Sequence, residues 1–216
     1  MSLQLINLSL ALHQRELVPR FSAQLAAGEV LVLMGESGSG KSSLLNYLAG
    51  LLEPPLSATG TVWVDGRDIT LLPTEQRRVG FLFQDDLLFP HLTVMENLLF
   101  AVASGPRSER VARATHALQR AGLDGFAARL PASLSGGQRA RISLLRTLLA
   151  GPRLLLLDEP FSKLDAALRQ RMREFVWAEL RAHRVCAVLV THDASDVPAG
   201  AQVITLPPLV AAGLDA

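Results

Sequence analysis

The sequence predicts an α/β protein built on a largely parallel sheet. Three observations predict it. Short apolar runs (Val30 to Met34, Val79 to Phe83, Leu154 to Leu157, Cys186 to Thr191) read as strands buried on both faces. Helical patterns separate these runs along the chain. A glycine-rich loop follows the first run directly and leads into a helix. The chain has 216 residues, 49% of them hydrophobic, which suits one large domain with a substantial core.

The elements follow in order. From Met1 to about Gly80, short strands over Leu3–Leu8, Phe21–Leu25 and Thr61–Val64 accompany the strand Val30–Met34 and a helix over Ser43–Ala49. From about Asp85 to Gly151 the pattern turns helical. Thr93 followed by Glu96 is a capping box, a helix lies near Ser108 to Ala121, and a second box, Ser135 with Gln138, opens a helix through Arg139 to Ala150. The strand pattern resumes at Arg153 and continues through a helix near Ala166 to Arg181, a strand over Val185–Val190 and a last strand near Val203 to Leu206. The expected organisation is a single domain over 1–216. Residues 1–84 and 152–216 form its core, and about 85–151 form an inserted helical subdomain. There are no repeats and no long linker.

The segment Gly35-Glu36-Ser37-Gly38-Ser39-Gly40-Lys41-Ser42 fits G-x-x-x-x-G-K-[ST], between a strand and a helix as that motif requires. A nucleoside triphosphate needs several converging donors. Gly35, Gly38 and Gly40 let successive backbone N–H groups turn inward at the positive end of a helix. Lys41 would place its ammonium between the β- and γ-phosphates, and the Ser42 hydroxyl would ligand a magnesium ion. The alternative is a glycine-rich turn without a ligand, against which the strand, the helix, the Lys and the Ser all stand. Such a loop alone fits kinases, GTPases, helicases and transport ATPases, so the choice among them falls to the rest of the chain.

Leu154-Leu155-Leu156-Leu157-Asp158-Glu159 is a buried strand ending in two acids with divided roles. Asp158 would hold the magnesium and Glu159 would polarise an attacking water. Gln84 ends an apolar strand and reads either as a group reaching the metal or water, or as a loop glutamine. His192 follows the run from Cys186 to Thr191, where ligand groups collect outside the carboxyl ends of parallel strands, and would contact the γ-phosphate. A lone histidine at a strand end is usually structural, and only the company of the other motifs favours the ligand reading. His13, His91, His116 and His183 show no metal-ligand spacing.

With Leu134-Ser135-Gly136-Gly137-Gln138 added to these residues, the chain resembles the ATP-binding subunit of a bacterial ABC transporter over nearly its whole length. The resemblance implies a P-loop NTPase core, a RecA-like parallel sheet plus an antiparallel β subdomain, with an inserted helical subdomain. It also implies ATP and Mg2+ as cofactors and ATP hydrolysis as the activity. Gly35 to Ser42, with Ser43, form Walker A; Gln84 is the Q-loop residue; Leu134 to Gln138 are the signature. Asp158 and the catalytic Glu159 form Walker B, Asp165 belongs to the D-loop, and His192 is the switch histidine. Ser42, Gln84 and Asp158 are the implied metal set. The resemblance further implies a homodimer in which each ATP lies between the Walker A of one copy and Ser135, Gly136, Gly137 and Gln138 of the other. ATP then holds the two copies together and hydrolysis releases them.

The likeness is greatest to importer subunits for thiamine, iron(III), molybdate and polyamines, and to an uncharacterised transporter group sharing Ser135 to Arg141 and Thr191 to Asp193. It implies an integral membrane permease and an extracytoplasmic solute-binding protein as partners. The other reading is a stand-alone ABC motor of an exporter or of a cytosolic complex. A small-molecule kinase would leave Leu134 to Gln138 without a task. The stretch Leu87 to Leu92 crowds apolar residues just beyond Gln84 and is expected to line a groove for a short cytoplasmic helix of the permease.

Several features narrow the setting. No apolar stretch reaches the roughly 20 residues of a membrane helix, and Met1 to Asn7 lacks the regions of a signal peptide. The expected location is cytoplasmic, peripheral on the inner face of the plasma membrane. The single cysteine, Cys186, lies in an apolar strand as a small inert hydrophobe. Net charge is +1 with no basic run, so nothing predicts nucleic-acid binding. After Leu206-Pro207-Pro208 only a short tail follows, with no regulatory domain expected. Two departures from the family pattern stand out. Ser9 to Arg15 holds no aromatic to stack on adenine, with His13 a weak substitute, which predicts loose base selectivity. Lys163 stands where the family commonly has a small residue.

Overall fold

Strands apolar at every position need cover on both faces, and the four such runs share one parallel sheet. In the computed structural model, which describes residues 1–102, 104–162 and 164–208, its order is β6 (Val79–Leu82), β7 (Leu154–Asp158), β8 (Cys186–Thr191), β3 (Val30–Met34) and β9 (Gln202–Thr205). Every neighbouring pair is parallel, in registers such as Leu154 with Cys186 and Val30 with Ala187. Alternate residues serve two cores. Leu31, Leu33, Leu154, Leu156, Val188 and Val190 face one cluster; Val30, Val32, Leu155, Leu157, Ala187 and Leu189 face the other.

The first cluster is closed by α1 (Lys41–Ala49), through Leu44, Leu45 and Leu48, and by an antiparallel sheet ordered β2 (Arg15–Leu25), β1 (Leu3–Leu12), β4 (Leu56–Val64), β5 (Arg67–Asp68). These strands run longer than their sequence pattern suggests. Register shifts in β1 after Leu5, Leu8 and Leu10 break the period-2 alternation that would reveal them. Gly60 crosses β1 at such an irregularity with φ 92°, where a Cβ would lie 2.5 Å from the Asn7 carbonyl oxygen, so no side chain fits.

The second cluster is closed by α6 (Ala166–His183), whose Met172, Val176, Trp177 and Leu180 face the sheet. Phe161 meets Trp177 edge-on at 5.9 Å. A third cluster, with Val94, Leu98, Leu118, Ile142 and Leu145, lies among α3 (Val94–Ala101), α4 (Arg107–Arg120) and α5 (Gly136–Leu149). Both capping boxes form. Thr93 Oγ1 accepts from Glu96 N at 3.2 Å, and Ser135 Oγ accepts from Gln138 N at 3.3 Å, with the reciprocal bonds present. The four-residue α2 (Thr74–Arg77) carries no sequence signal. It delivers a buried Arg77, whose guanidinium donates to the carbonyls of Tyr47, Leu48, Thr70 and Leu72 and so caps the end of α1.

Candidate nucleotide site

Parallel alignment puts the carboxyl ends of β3, β6, β7 and β8 at one edge, where side chains of successive loops meet. After β3 the chain turns through 35–40 into α1. Gly40 is the residue preceding the helix, at φ 87°, and a Cβ there would fall 3.1 Å from Val18 Cγ2 and 3.3 Å from Leu17 Cβ. Gly35 and Gly38 also hold positive φ. No side chain caps α1, so its first amides stay open to an anion. Lys41, only 5% exposed, curls into the loop: Nζ donates to the Gly35 carbonyl at 2.8 Å and the Glu36 carbonyl at 2.6 Å. Glu36, Ser37 and Gly38 form the exposed crown, Ser39 is buried beneath it, and Ser43 is half-buried in the first turn.

From β7, Asp158 receives a hydrogen bond from Ser42 Oγ at 3.0 Å. Burial pushes its carboxyl above the usual range, with the adjacent Glu159 charge adding to this and the Ser42 bond and Lys41 opposing. Glu159 follows with φ 43°, uncommon outside glycine, and its backbone N–H donates to the Val190 carbonyl at 3.0 Å. That turn breaks the strand and aims the carboxylate along the edge. Oε1 lies 3.1 Å from His192 Nδ1, at the end of β8. Gln84, beyond β6, donates through Nε2 to Ser162 Oγ at 3.2 Å, and Ser162 Oγ donates to the Glu159 carbonyl at 2.9 Å. Gln84, Ser162, Glu159 and His192 thus form one hydrogen-bonded row beside the Ser42–Asp158 pair. Sequence patterns gave no signal for Ser162 as the link, because its partners lie on other loops. Lys163, beside it, lies outside the described residues.

Two predicted residue sets make no hydrogen bond to that row among the described residues, although Gly136 and Gln84 line one cavity of about 290 Å³. Ser135 and Gly136 are exposed at the start of α5, and Asp165 caps α6, its Oδ1 accepting from Leu168 N at 3.0 Å. Among the described residues no hydrogen bond joins 135–138 to 35–43. The β1–β2 turn carries an exposed His13 at φ 54°, a few residues from the Leu10, Leu17 and Val18 side chains that a Cβ on Gly40 would meet.

A magnesium ion fits the donor set. Ser42 and Asp158 would supply two hard oxygen ligands, and no cluster of three or more His, Cys, Asp or Glu among the described residues could hold a metal by itself. Hard oxygen donors of this kind are the ones that Mg2+ takes from a protein.

The groove expected over Leu87 to Leu92 needs one correction. Leu88 is 8% exposed and packs in the helical core with Val94 and Leu98, so it lines no groove. Its neighbours Leu87 and Phe89 face outward instead, and with Phe81, Phe100 and Arg146 they line a cavity of about 530 Å³. The irregular backbone here, with Leu87 at φ 45°, sets which leucine turns inward, and apolar composition cannot show it.

A family model described as ABC transporter matches residues 18–162. The chain is 46% identical to an uncharacterised ABC transporter ATP-binding protein, YnjD, of Escherichia coli (strain K12), over 93% of each chain. It is 43% identical to the thiamine import ATP-binding protein ThiQ of the same strain, over 82% of this chain and 76% of that one. It is 44% identical to the sulfate/thiosulfate import ATP-binding protein CysA of Mycobacterium tuberculosis (strain ATCC 25618 / H37Rv), and the match covers 78% of this chain but about half, 48%, of that relative. Among solved structures it is similar to the ATP-binding cassette MJ0796, in a dimeric post-hydrolysis state bound to ADP and Pi. The TM-score is 0.77, at 29% identity and 94% coverage of both chains.

Proposed function

Since the chain belongs to the ABC transporter family, we propose that it is the ATP-hydrolysing subunit of a membrane importer, closing as a homodimer on ATP to drive a separate permease. The observation that carries this reading is the row at the sheet edge: Lys41 buried in its glycine loop, Ser42 on Asp158, and Glu159 on His192. On binding, the Lys41 ammonium exchanges two backbone carbonyls for phosphate oxygens, and the uncapped amides of α1 receive the remaining charge. A bound Mg2+ would sit on Ser42 and Asp158, with Gln84 in reach of the same edge, and would neutralise charge developing on the phosphates. Glu159 polarises the attacking water, and His192 holds both that carboxylate and the γ-phosphate in place.

The exposed start of α5, with Ser135 to Gln138, completes the site of a second copy, which agrees with the dimeric state of the similar cassette. The outward cavity at Leu87, Phe89 and Phe100 takes a short helix of the permease. No described helix is long and apolar enough to cross a membrane, and on this reading the protein sits peripherally on the cytoplasmic face by holding that partner. The importer names among its relatives support an extracytoplasmic solute-binding protein as a third component.

The test is capture of tagged Glu159→Gln protein from native membranes with ATP present, followed by mass spectrometry. A multi-helix membrane protein with an extracytoplasmic binding protein is expected, and Leu87→Asp should lose both. A catch of soluble proteins alone would shift the function to a cytosolic ABC motor.

A further inference from the structure

The row at the sheet edge leaves the arginines of α6 without a task. Arg169 lies one turn inside the helix, its amide donating to the Asp165 carbonyl at 2.8 Å. Its Nη1 donates to Oδ2 of Asp193, the residue after His192, at 2.7 Å. One turn on, Arg173 Nη1 donates to the Ser195 carbonyl at 2.6 Å, to Ser195 Oγ at 2.7 Å and to Asp196 Oδ1 at 3.2 Å. Thr191 Oγ1 donates to Asp196 Oδ2 at 2.8 Å, so the residue before the histidine is tied to the part of the loop that α6 holds after it. The His192 side chain is 63% exposed, and its aim therefore comes from that loop rather than from packing.

Arg169 is a poor stabiliser on its own account. Its ion pair is partly exposed, 26% and 31% on the two side chains, where such pairs contribute little. Its Nε is buried without a hydrogen-bond partner among the described residues, a state that carries a cost. The residue instead helps to line a pit of about 40 Å³ shared with Glu159, Ser162, Thr191 and His192, large enough for a water. Hydrogen bonds from Ser195, with Arg169 and Arg173 nearby, hold the Asp193 carboxyl below the usual range, so the partner of Arg169 is ionised. The adjacent Leu168 packs against the signature helix: a Cβ on Gly137 would fall 2.4 Å from Leu168 Cδ2. One helical turn thus touches both the histidine loop and the start of α5.

We propose that Arg169 is a positioning residue for ATP hydrolysis: from the first turn of α6 it holds Asp193, fixes the loop that aims His192, and ties that aim to the seating of α5. The inference rests on the ATPase reading of the site.

Arg169→Ala and Asp193→Asn, singly and together, test it by steady-state turnover across ATP concentrations and by binding of a fluorescent ATP analogue. Each single variant should lower kcat about 10- to 100-fold while KM and analogue affinity move less than about threefold, as a misplaced catalytic group does. The double variant should be no worse than the poorer single one, because both break one link. Arg169→Lys keeps the charge but not the fork and should recover only part of the rate. Arg171→Ala, exposed on the same helix, should turn over at the wild-type rate. Where Arg169→Ala melts early, the near-isosteric Asp193→Asn carries the test. Additive losses in the double variant, losses matched by the unfolded fraction, or an unchanged kcat would each overturn the inference. An inactive wild type would overturn the ATPase reading and the inference with it, whereas a fully active Arg169→Ala overturns the inference alone.

Discussion

Asp158 is a carboxylate held where burial makes its charge costly. Its pKa is raised in the folded chain, chiefly by desolvation, so between the unfolded value and that raised value the native state binds more protons. Stability from this group therefore falls as pH rises through the window. Asp158→Asn keeps an oxygen for the Ser42 hydroxyl and removes the charge. The variant should melt higher than wild type at pH 7 by about 1–2 °C, a gain kept small by solvent screening. The gain should vanish in acid, and thermal melts at both pH values check it. The same variant should lose Mg2+-dependent turnover, so stability and function are opposed at one residue.

Among the elements, α5 and α6 meet closely at one point. Gly137 lies one residue inside α5 against Leu168, with no room for a methyl group. Gly137→Ala should destabilise the protein by about 1–3 kcal/mol through overpacking, and Gly137→Ala with Leu168→Ala should recover most of that, read as denaturant midpoints. Additive losses in the pair would show that the two helices do not meet there. At this scale the sequence was legible where the signal is local. Both capping boxes, at Thr93 and Ser135, form between residues three apart, and the buried parallel strands are unbroken apolar runs. It was not legible where pairing is irregular: β1, β2 and β4 extend beyond their alternating stretches because bulges shift the pattern, and β5 and α2 are too short to carry one.

For the whole molecule, the proposed site has 135–138 of one copy meeting a nucleotide held by 35–43 of another, a reading that the dimeric state of the similar cassette supports. Glu159→Gln with ATP should elute as a dimer by light scattering and as a monomer without nucleotide. Ser135→Arg should bind ATP yet stay monomeric and inactive. Full turnover by a strictly monomeric form would contradict the shared site. The sequence by itself determined which residue types stand at the carboxyl ends of the parallel strands, because apolar runs and glycine loops are local features of the chain. The tertiary structure alone decided which of them touch. Ser42 reaches Asp158 across 116 positions and Glu159 reaches His192 across 33, Gln84 meets Ser162 on another loop, and Leu87 rather than Leu88 faces outward. Hydrogen bonds form over about 3 Å, a range that strand order and backbone turns set and that no spacing along the chain encodes.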